Sequence, residues 1–243
     1  MIYEPRHLDW PNCLNARDLG GMPTADGRRI RPGALVRSDR HSRLTPDSVA
    51  AIRSNGVAAI VDLRTVAECA MEPSPFAGAA FYTNIDWHDS IPDKDRDGTL
   101  AELYQARLDR HSHKITHAIR TLAEAPEGGL IVHCAVGKDR TGIVVALLLD
   151  LVGVDRGLIA ADYAVSHGRL RASFAEELAR LAPGVRRDRV EVLQSSPPET
   201  MLATLDHLHE RYGGAAGYLR RHGLTEAHLD ALVTRLVEPA TDG

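Results

Sequence analysis

The segment GGLIVHCAVGKDRTGIVVALLLDLVG, residues 128–153, constrains the fold more than any other part of the chain. A β-branched run over 129–133 is followed, after a short loop, by a helix that opens at Arg140. Three further stretches, 33–38, 57–63 and 80–85, are short, β-branched or aromatic, and bounded by turn residues, so they read as strands. Between the first two, Thr45, Pro46 and Asp47 open a helix, Val49 and Ile52 share a face, and Gly56 closes it. Another helix fits 112–125, with Ile115, Ile119 and Leu122 on one stripe, and runs into the fourth strand. Strands alternating with helices predict an α/β fold with a mainly parallel central sheet and helices on its faces.

The last hundred residues read as helical throughout: 155–166, 169–182, 197–212 and a final helix after Thr225. The third of these has Ser196 and Glu199 spaced as a capping box, with Pro197 at its first helical position. A chain of 243 residues fits one large domain. Its longest apolar run, Ile143–Leu149, is far too short to span a bilayer, and the first residues carry no signal-peptide pattern. The expectation is a cytoplasmic protein, with export by another route left open. A net charge of -4 gives no general attraction to nucleic acid or to a membrane surface, so an anion site must be local. Cys13, Cys69 and Cys134 are too few and too scattered for a disulfide framework.

Cys134 stands where the 129–133 strand ends, and the loop Ala135, Val136, Gly137, Lys138 and Asp139 must curl before the helix begins. Such a loop can aim successive backbone N–H groups at one centre, where the helix N-terminus adds partial positive charge. Gly137 supplies backbone freedom and close approach, and Arg140 closes the cup with two parallel hydrogen bonds to phosphate oxygens. This surrounding favours the thiolate of Cys134, making it a nucleophile towards a phosphate monoester. Thr141 is placed to donate to the sulfur, and His133 to brace the loop through backbone carbonyls. The expected chemistry needs no metal and no cofactor.

HCAVGKDRTG resembles the phosphate-binding loop of the cysteine-dependent protein tyrosine phosphatase superfamily, in the branch of bacterial tyrosine phosphatases related to the mycobacterial secreted phosphatase B. The segments NARDLGG (15–21), LVRSD (35–39), IVDLRTVAE (60–68) and YGGAAGYLRRHGLTEAHLDAL extend the resemblance over roughly 12–237. It implies a tyrosine-phosphatase-like fold, a phosphocysteine intermediate and a helical lid over a wide active site, and 155–212 is the candidate segment for that lid or for an insertion within a single 1–243 domain. Asp62, Leu63 and Arg64 with Glu68 form a further candidate group, since Asp62 ends a buried strand at the carboxyl edge where open α/β sheets hold sites; the resemblance places Asp62 beside the loop, orienting Arg140 or substrate, with Arg17, Asp18 and Arg64 in the same buried framework. The substrates implied are phosphorylated proteins, phosphotyrosine first, or a small phosphate ester.

The leaving group needs a proton, and two carboxylate sources compete. One is the cluster Asp86, Asp89, Asp93, Asp95 and Asp97; the other, favoured, is Asp139 inside the loop. Lys138 divides between a solvated surface lysine and an anchor for additional phosphates. Residues 93–103 imitate the start of a calcium loop, but Tyr104 stands where a bidentate carboxylate is needed, so a solvated acidic loop is expected. The histidines at 111, 113 and 117 lack metal-ligand spacing and are expected to be exposed. Cys13 and Cys69 are candidates for a redox guard of Cys134, without a signal that brings them near it. A non-catalytic module that binds phosphorylated partners and a sulfurtransferase are the competing functions; oligomeric state is left open.

Overall fold

The computed structural model describes residues 5–88 and 97–239. Its elements are β1 (Arg6–His7), β2 (Arg17–Asp18), β3 (Leu35–Ser38), α1 (Pro46–Ser54), β4 (Val57–Asp62), α2 (Val66–Met71), β5 (Tyr82–Asn84), α3 (Leu100–Arg110), α4 (Ser112–Ala123), β6 (Gly129–His133), α5 (Asp139–Leu151), α6 (Arg156–Ala179), α7 (Arg187–Gln194), α8 (Pro198–Tyr212), α9 (Ala215–Arg221) and α10 (Glu226–Leu236). The sheet runs β1-β2-β3-β6-β4-β5. Its last four strands are parallel, and β1 and β2 add an antiparallel edge too short to show as a sequence pattern.

Side chains alternate across the sheet, so Leu130 and Val132 of β6 join the larger core cluster, while Ile131 meets Val36, Ile52, Ile60 and Phe76 in the smaller one. The larger cluster contains most of α5, in which every residue from Thr141 to Leu149 is buried. A helix apolar on all sides belongs at the centre, and α5 occupies it directly after the central strand. Strands β3, β6 and β4 end level with one another, Ser38 and Asp62 both pairing with His133 in register. That common carboxyl edge is where open parallel sheets hold ligands.

Several expectations are corrected. The two helices expected over 155–166 and 169–182 are one continuous α6, whose interior Gly168 is exposed and imposes only a propensity cost that the buried stripe offsets. The capping box at Ser196 is not formed: α8 starts at Pro198, because a residue preceding proline avoids the helical region, and Pro197 stays extended at ψ 138°. Ser196 donates instead to the Ala164 carbonyl of α6 at 3.3 Å. Thr99 and Glu102 do form a capping box and start α3 inside the stretch expected to be an acidic loop. Residues 93–96 of that stretch lie outside the described residues. His113 and His117 are exposed, but His111 is buried beside Trp87, 6.1 Å between ring centres. No helix among the described residues is long and apolar enough to cross a membrane.

Candidate active site

Cys134 follows β6 at the carboxyl edge and is 1% exposed. The loop it begins is held from behind by its carbonyls. His133 Nδ1 lies 3.3 Å from the Cys134 oxygen, and the Arg40 amide donates to the Ala135 oxygen at 3.2 Å. Asn15 Nδ2 donates to the oxygens of Val136 and Gly137 at 2.9 and 3.1 Å. Arg37 donates to those of Gly137 and Lys138 at 2.9 and 3.4 Å. In a trans peptide the next N–H points opposite to the carbonyl, and there are no cis bonds among the described residues. Five carbonyls drawn outward therefore turn the amides of residues 135–139 inward, towards the space in front of the sulfur.

Gly137 has φ +67°, and a Cβ there would lie 2.3 Å from the Ser38 oxygen. The left-handed φ is the backbone freedom the sequence reading gave to Gly137, and the tertiary structure adds a second demand for glycine, the close approach of the loop to the end of β3. The brace is itself anchored. Arg17 and Arg37 each reach one oxygen of Asp162 on α6 at 2.6 Å, and Arg17 also holds the Asn15 side chain at 2.7 Å. All three charged side chains are buried. Burial opposes the charge on Asp162, but the two arginines outweigh it and hold the carboxyl below its ordinary range.

Arg140, in the first turn of α5, is gripped by Glu68 through two bonds of 2.7 and 2.8 Å, and its Nη1 also donates to the Leu63 oxygen at 3.0 Å. A guanidinium has five N–H groups, so these leave Nε–H and one Nη2–H, a fork matched to two phosphate oxygens. Glu68 simultaneously caps α2, accepting from the Thr65 amide at 2.7 Å. Burial works against its charge, yet Arg140 and Thr65 bring its pKa down to about 2. For Arg140, burial is likewise outweighed by Glu68 and the nearby Cys134 sulfur, which hold the guanidinium charged.

Asp62 does not bond Arg140. Its carboxylate takes Arg64 at 2.7 Å and the Tyr82 hydroxyl at 2.7 Å, with Cys69 Sγ at 3.6 Å and His133 Nε2 at 3.5 Å. An arginine two residues along the same chain reaches it first, so Asp62 ties Arg64 and Tyr82 to the strand end while Glu68 holds Arg140. Nor do Arg17, Asp18 and Arg64 share one network: Asp18 pairs with Arg6 at 2.8 Å. His133 stacks on His41 at 4.1 Å, behind the loop. The three cysteines are free; buried Cys13 donates to Asp39 at 2.9 Å, and burial together with that carboxylate pushes its thiol pKa up.

Asp139 Oδ1 accepts from the Tyr104 hydroxyl at 2.5 Å and from Lys138 Nζ at 2.9 Å. Of the competing carboxylates, Asp86 caps the Val66 amide at 3.1 Å and Asp97 pairs on the surface with Arg186 at 2.8 Å; Asp89, Asp93 and Asp95 lie outside the described residues. Lys138 is 1% exposed, which removes the solvated-surface alternative. Its ammonium also donates to the carbonyls of Leu193 and Ser195 at 2.8 and 2.7 Å, at the C-terminal end of α7, where a cation is favoured. The expected bond from Thr141 to the sulfur is not made: Thr141 Oγ1 is buried with no partner among the described residues. Position on the first turn of α5 sets which way Thr141 faces but not its distance to Cys134. No cluster of metal-ligating side chains occurs among the described residues.

Asn15, Arg37, Tyr104 and Asp162 were not singled out by sequence, whereas Glu68 was grouped with Asp62 and Arg64 but without its bond to Arg140. Asn15 and Arg37 lie within NARDLGG and LVRSD; Tyr104 and Asp162 sit on helices where nothing distinguishes them from packing or surface residues.

Residues 8–238 match the tyrosine phosphatase family. The chain is 30% identical to the triple specificity protein phosphatase PtpB of Mycobacterium tuberculosis, over 91% of this chain and 96% of that protein. It is also 30% identical to a tyrosine-protein phosphatase of Nostoc commune, over 88% and 78% of the two chains. A putative tyrosine-protein phosphatase of Cupriavidus necator is 30% identical over 88% and 84%. Among solved structures, P. aeruginosa TpbA aligns with 78% of this chain and 95% of its own at 14% identity and a TM-score of 0.37.

Proposed function

The chain belongs to the tyrosine phosphatase family and is a phosphoric monoester hydrolase, and from that premise we propose that it works through a phosphocysteine on Cys134 without a metal ion. The observation that carries this reading is the loop whose carbonyls at 134–138 are all drawn outward, leaving a ring of amides, a helix N-terminus and the open fork of Arg140 around one sulfur.

The phosphoryl group sits on the amides of residues 135–139, and the thiolate attacks phosphorus in line with the ester oxygen. The S–P bond forms as the P–O bond breaks, and the leaving oxygen takes a proton from Asp139. In the unliganded site burial opposes the charge on Asp139, but Lys138, Arg107 and Tyr104 outweigh it and keep the carboxyl below its ordinary range. A bound phosphate dianion repels that carboxylate and raises its proton affinity, so Asp139 takes up a proton from solvent as the substrate binds. Asp139, now a base, then takes a proton from water as the water attacks phosphorus; the S–P bond breaks and inorganic phosphate leaves. Thr141, which makes no bond to the sulfur in the free site, turns its hydroxyl to it only as the S–P bond breaks and charge returns to the sulfur.

The substrates we propose are phosphotyrosine proteins and a broader set of phosphate monoesters, a breadth supported by the relative named for triple specificity. Within 155–212 the part around α7 acts as the lid, supported by the Lys138 bonds that fasten the end of α7 to the phosphate loop, while Asp162 and Tyr163 of α6 and Met201 and Leu205 of α8 belong to the buried framework. The test is phosphate release, in reductant, from phosphotyrosine and phosphoserine peptides, phosphoinositides and nucleotide monophosphates, with Cys134→Ser alongside. Loss of turnover with retained phosphate binding in Cys134→Ser is expected; substantial turnover by that variant overturns the mechanism.

A further inference from the structure

Asp139 has two carboxylate oxygens, and the structure treats them differently. Oδ1 receives both the Tyr104 hydroxyl, at 2.5 Å, and Lys138 Nζ, at 2.9 Å. Tyr104 has one hydroxyl proton, and directing it to Asp139 leaves its oxygen as the acceptor for the Tyr163 hydroxyl 2.9 Å away. The two phenols thus form a directional chain from Tyr163 through Tyr104 to Oδ1.

The chain is built into the fold. Tyr104 and Tyr163 are both 0% exposed, on α3 and α6, with their rings edge to face at 5.9 Å. Gly142, one turn into α5, makes room for it: a Cβ there would press to 3.3 Å from Tyr163 Cδ2. A buried phenol without a partner is costly, and here each hydroxyl is satisfied only by pointing along the chain towards Asp139. Tyr104 is also the residue at which the 93–104 segment departs from a calcium loop, so its presence has a reason unconnected with metal.

We propose that Tyr104, oriented by Tyr163, is a positioning residue that saturates Oδ1 of Asp139 and so reserves Oδ2 for the proton delivered to the leaving oxygen. This rests on Asp139 being the general acid. The charged and titratable groups around the carboxyl are Lys138 and Arg140 on either side of it, Arg107 and Tyr104 from α3, and Tyr163 from α6. Burial pushes both phenol pKa values up, so neither loses its proton at working pH and Tyr104 remains a donor. Because a donor to a carboxylate favours its ionised form, removing this one raises the proton affinity of Asp139 while freeing the carboxyl to rotate.

The experiment compares Tyr104→Phe, Tyr163→Phe and Asp139→Asn on two monoesters, phenyl phosphate and 2,4-dinitrophenyl phosphate, whose leaving groups respectively need and do not need protonation. In Tyr104→Phe, kcat/KM for phenyl phosphate, which reports the steps through departure of the leaving group and not the shared hydrolysis of the phosphocysteine, should fall about 10- to 100-fold, part of what an acid contributes, while kcat/KM for dinitrophenyl phosphate changes by about twofold or less. Tyr163→Phe should give a smaller split of the same sign, and the basic limb of kcat/KM for phenyl phosphate should move to higher pH in Tyr104→Phe. The burst of dinitrophenol reports the folded, reactive fraction in each variant. If Asp139→Asn shows the split and Tyr104→Phe instead slows both esters equally, or neither, Tyr104 is merely structural and the proposal is overturned. If Asp139→Asn shows no split, Asp139 is not the acid, and the proposal falls with that assignment.

Discussion

Glu68 links two functions in one carboxylate. It completes the capping box that starts α2, and it clamps Arg140 with both oxygens, so folding of that short helix and aiming of the guanidinium are the same event. Glu68→Gln should keep phosphate binding measurable but lower kcat on the order of 10²-fold, the scale of a small misplacement at the reacting centre. Steady-state kinetics with phenyl phosphate checks it, and an unchanged kcat would remove Glu68 from the positioning of Arg140. Gly137 makes a sharper demand, because its left-handed φ and the 2.3 Å approach of Ser38 exclude any side chain. Gly137→Ala should cost about 1–3 kcal/mol from backbone strain alone, read as a fall in Tm, and should abolish activity by displacing the amides of the loop. Cys134, Gly137 and Arg140 were legible because their spacing is local. The bonds made by Glu68 and Tyr104 were not, since their partners lie 72 and 35 residues away and a lone Glu or Tyr carries no address for them.

Elements meet behind the loop as much as around it. The Arg17–Asp162–Arg37 cluster joins β2, β3 and α6, and it fixes Asn15 and Arg37, the side chains that draw the loop carbonyls outward. Asp162→Ala leaves two buried arginines without their counter-charge and should destabilise the fold by about 3–5 kcal/mol in urea unfolding. The carboxyl of Asp162 is held below its ordinary value, so its contribution is complete above the unfolded value near about pH 4 and is lost as pH falls through the lower folded value. Wild type should therefore lose stability on acidification below about pH 4 more steeply than Asp162→Asn. At the other end of the loop, Lys138→Met removes the cation from the end of α7, and limited proteolysis within 180–197 should quicken. The long elements were readable from periodicity. The two helices expected over 155–166 and 169–182 are one because the buried stripe runs through the exposed His167 and Gly168 between them; α2 has six residues, too few for a period to show.

At the scale of the whole molecule, one strand and one helix form the centre and everything else is arranged about the turn between them. Because fixed amides and Arg140 supply the positive charge around the phosphoryl group, activity in millimolar EDTA should equal activity without it. A loss restored by a divalent cation would overturn the metal-independent mechanism. The placing of Cys134 and Arg140 at the turn between the central strand and helix, the alternation of strands with helices and the parallel sheet were all present in the sequence, since each depends on residues a few positions apart or on a repeating pattern. Which carboxylate grips Arg140, what holds the loop carbonyls outward, that Lys138 is buried against α7, and that two tyrosines converge on Asp139 were decided only in the tertiary structure. The physical reason is that those interactions join side chains far apart in the chain, and only packing of the sheet, α5 and the surrounding helices brings them within hydrogen-bond reach.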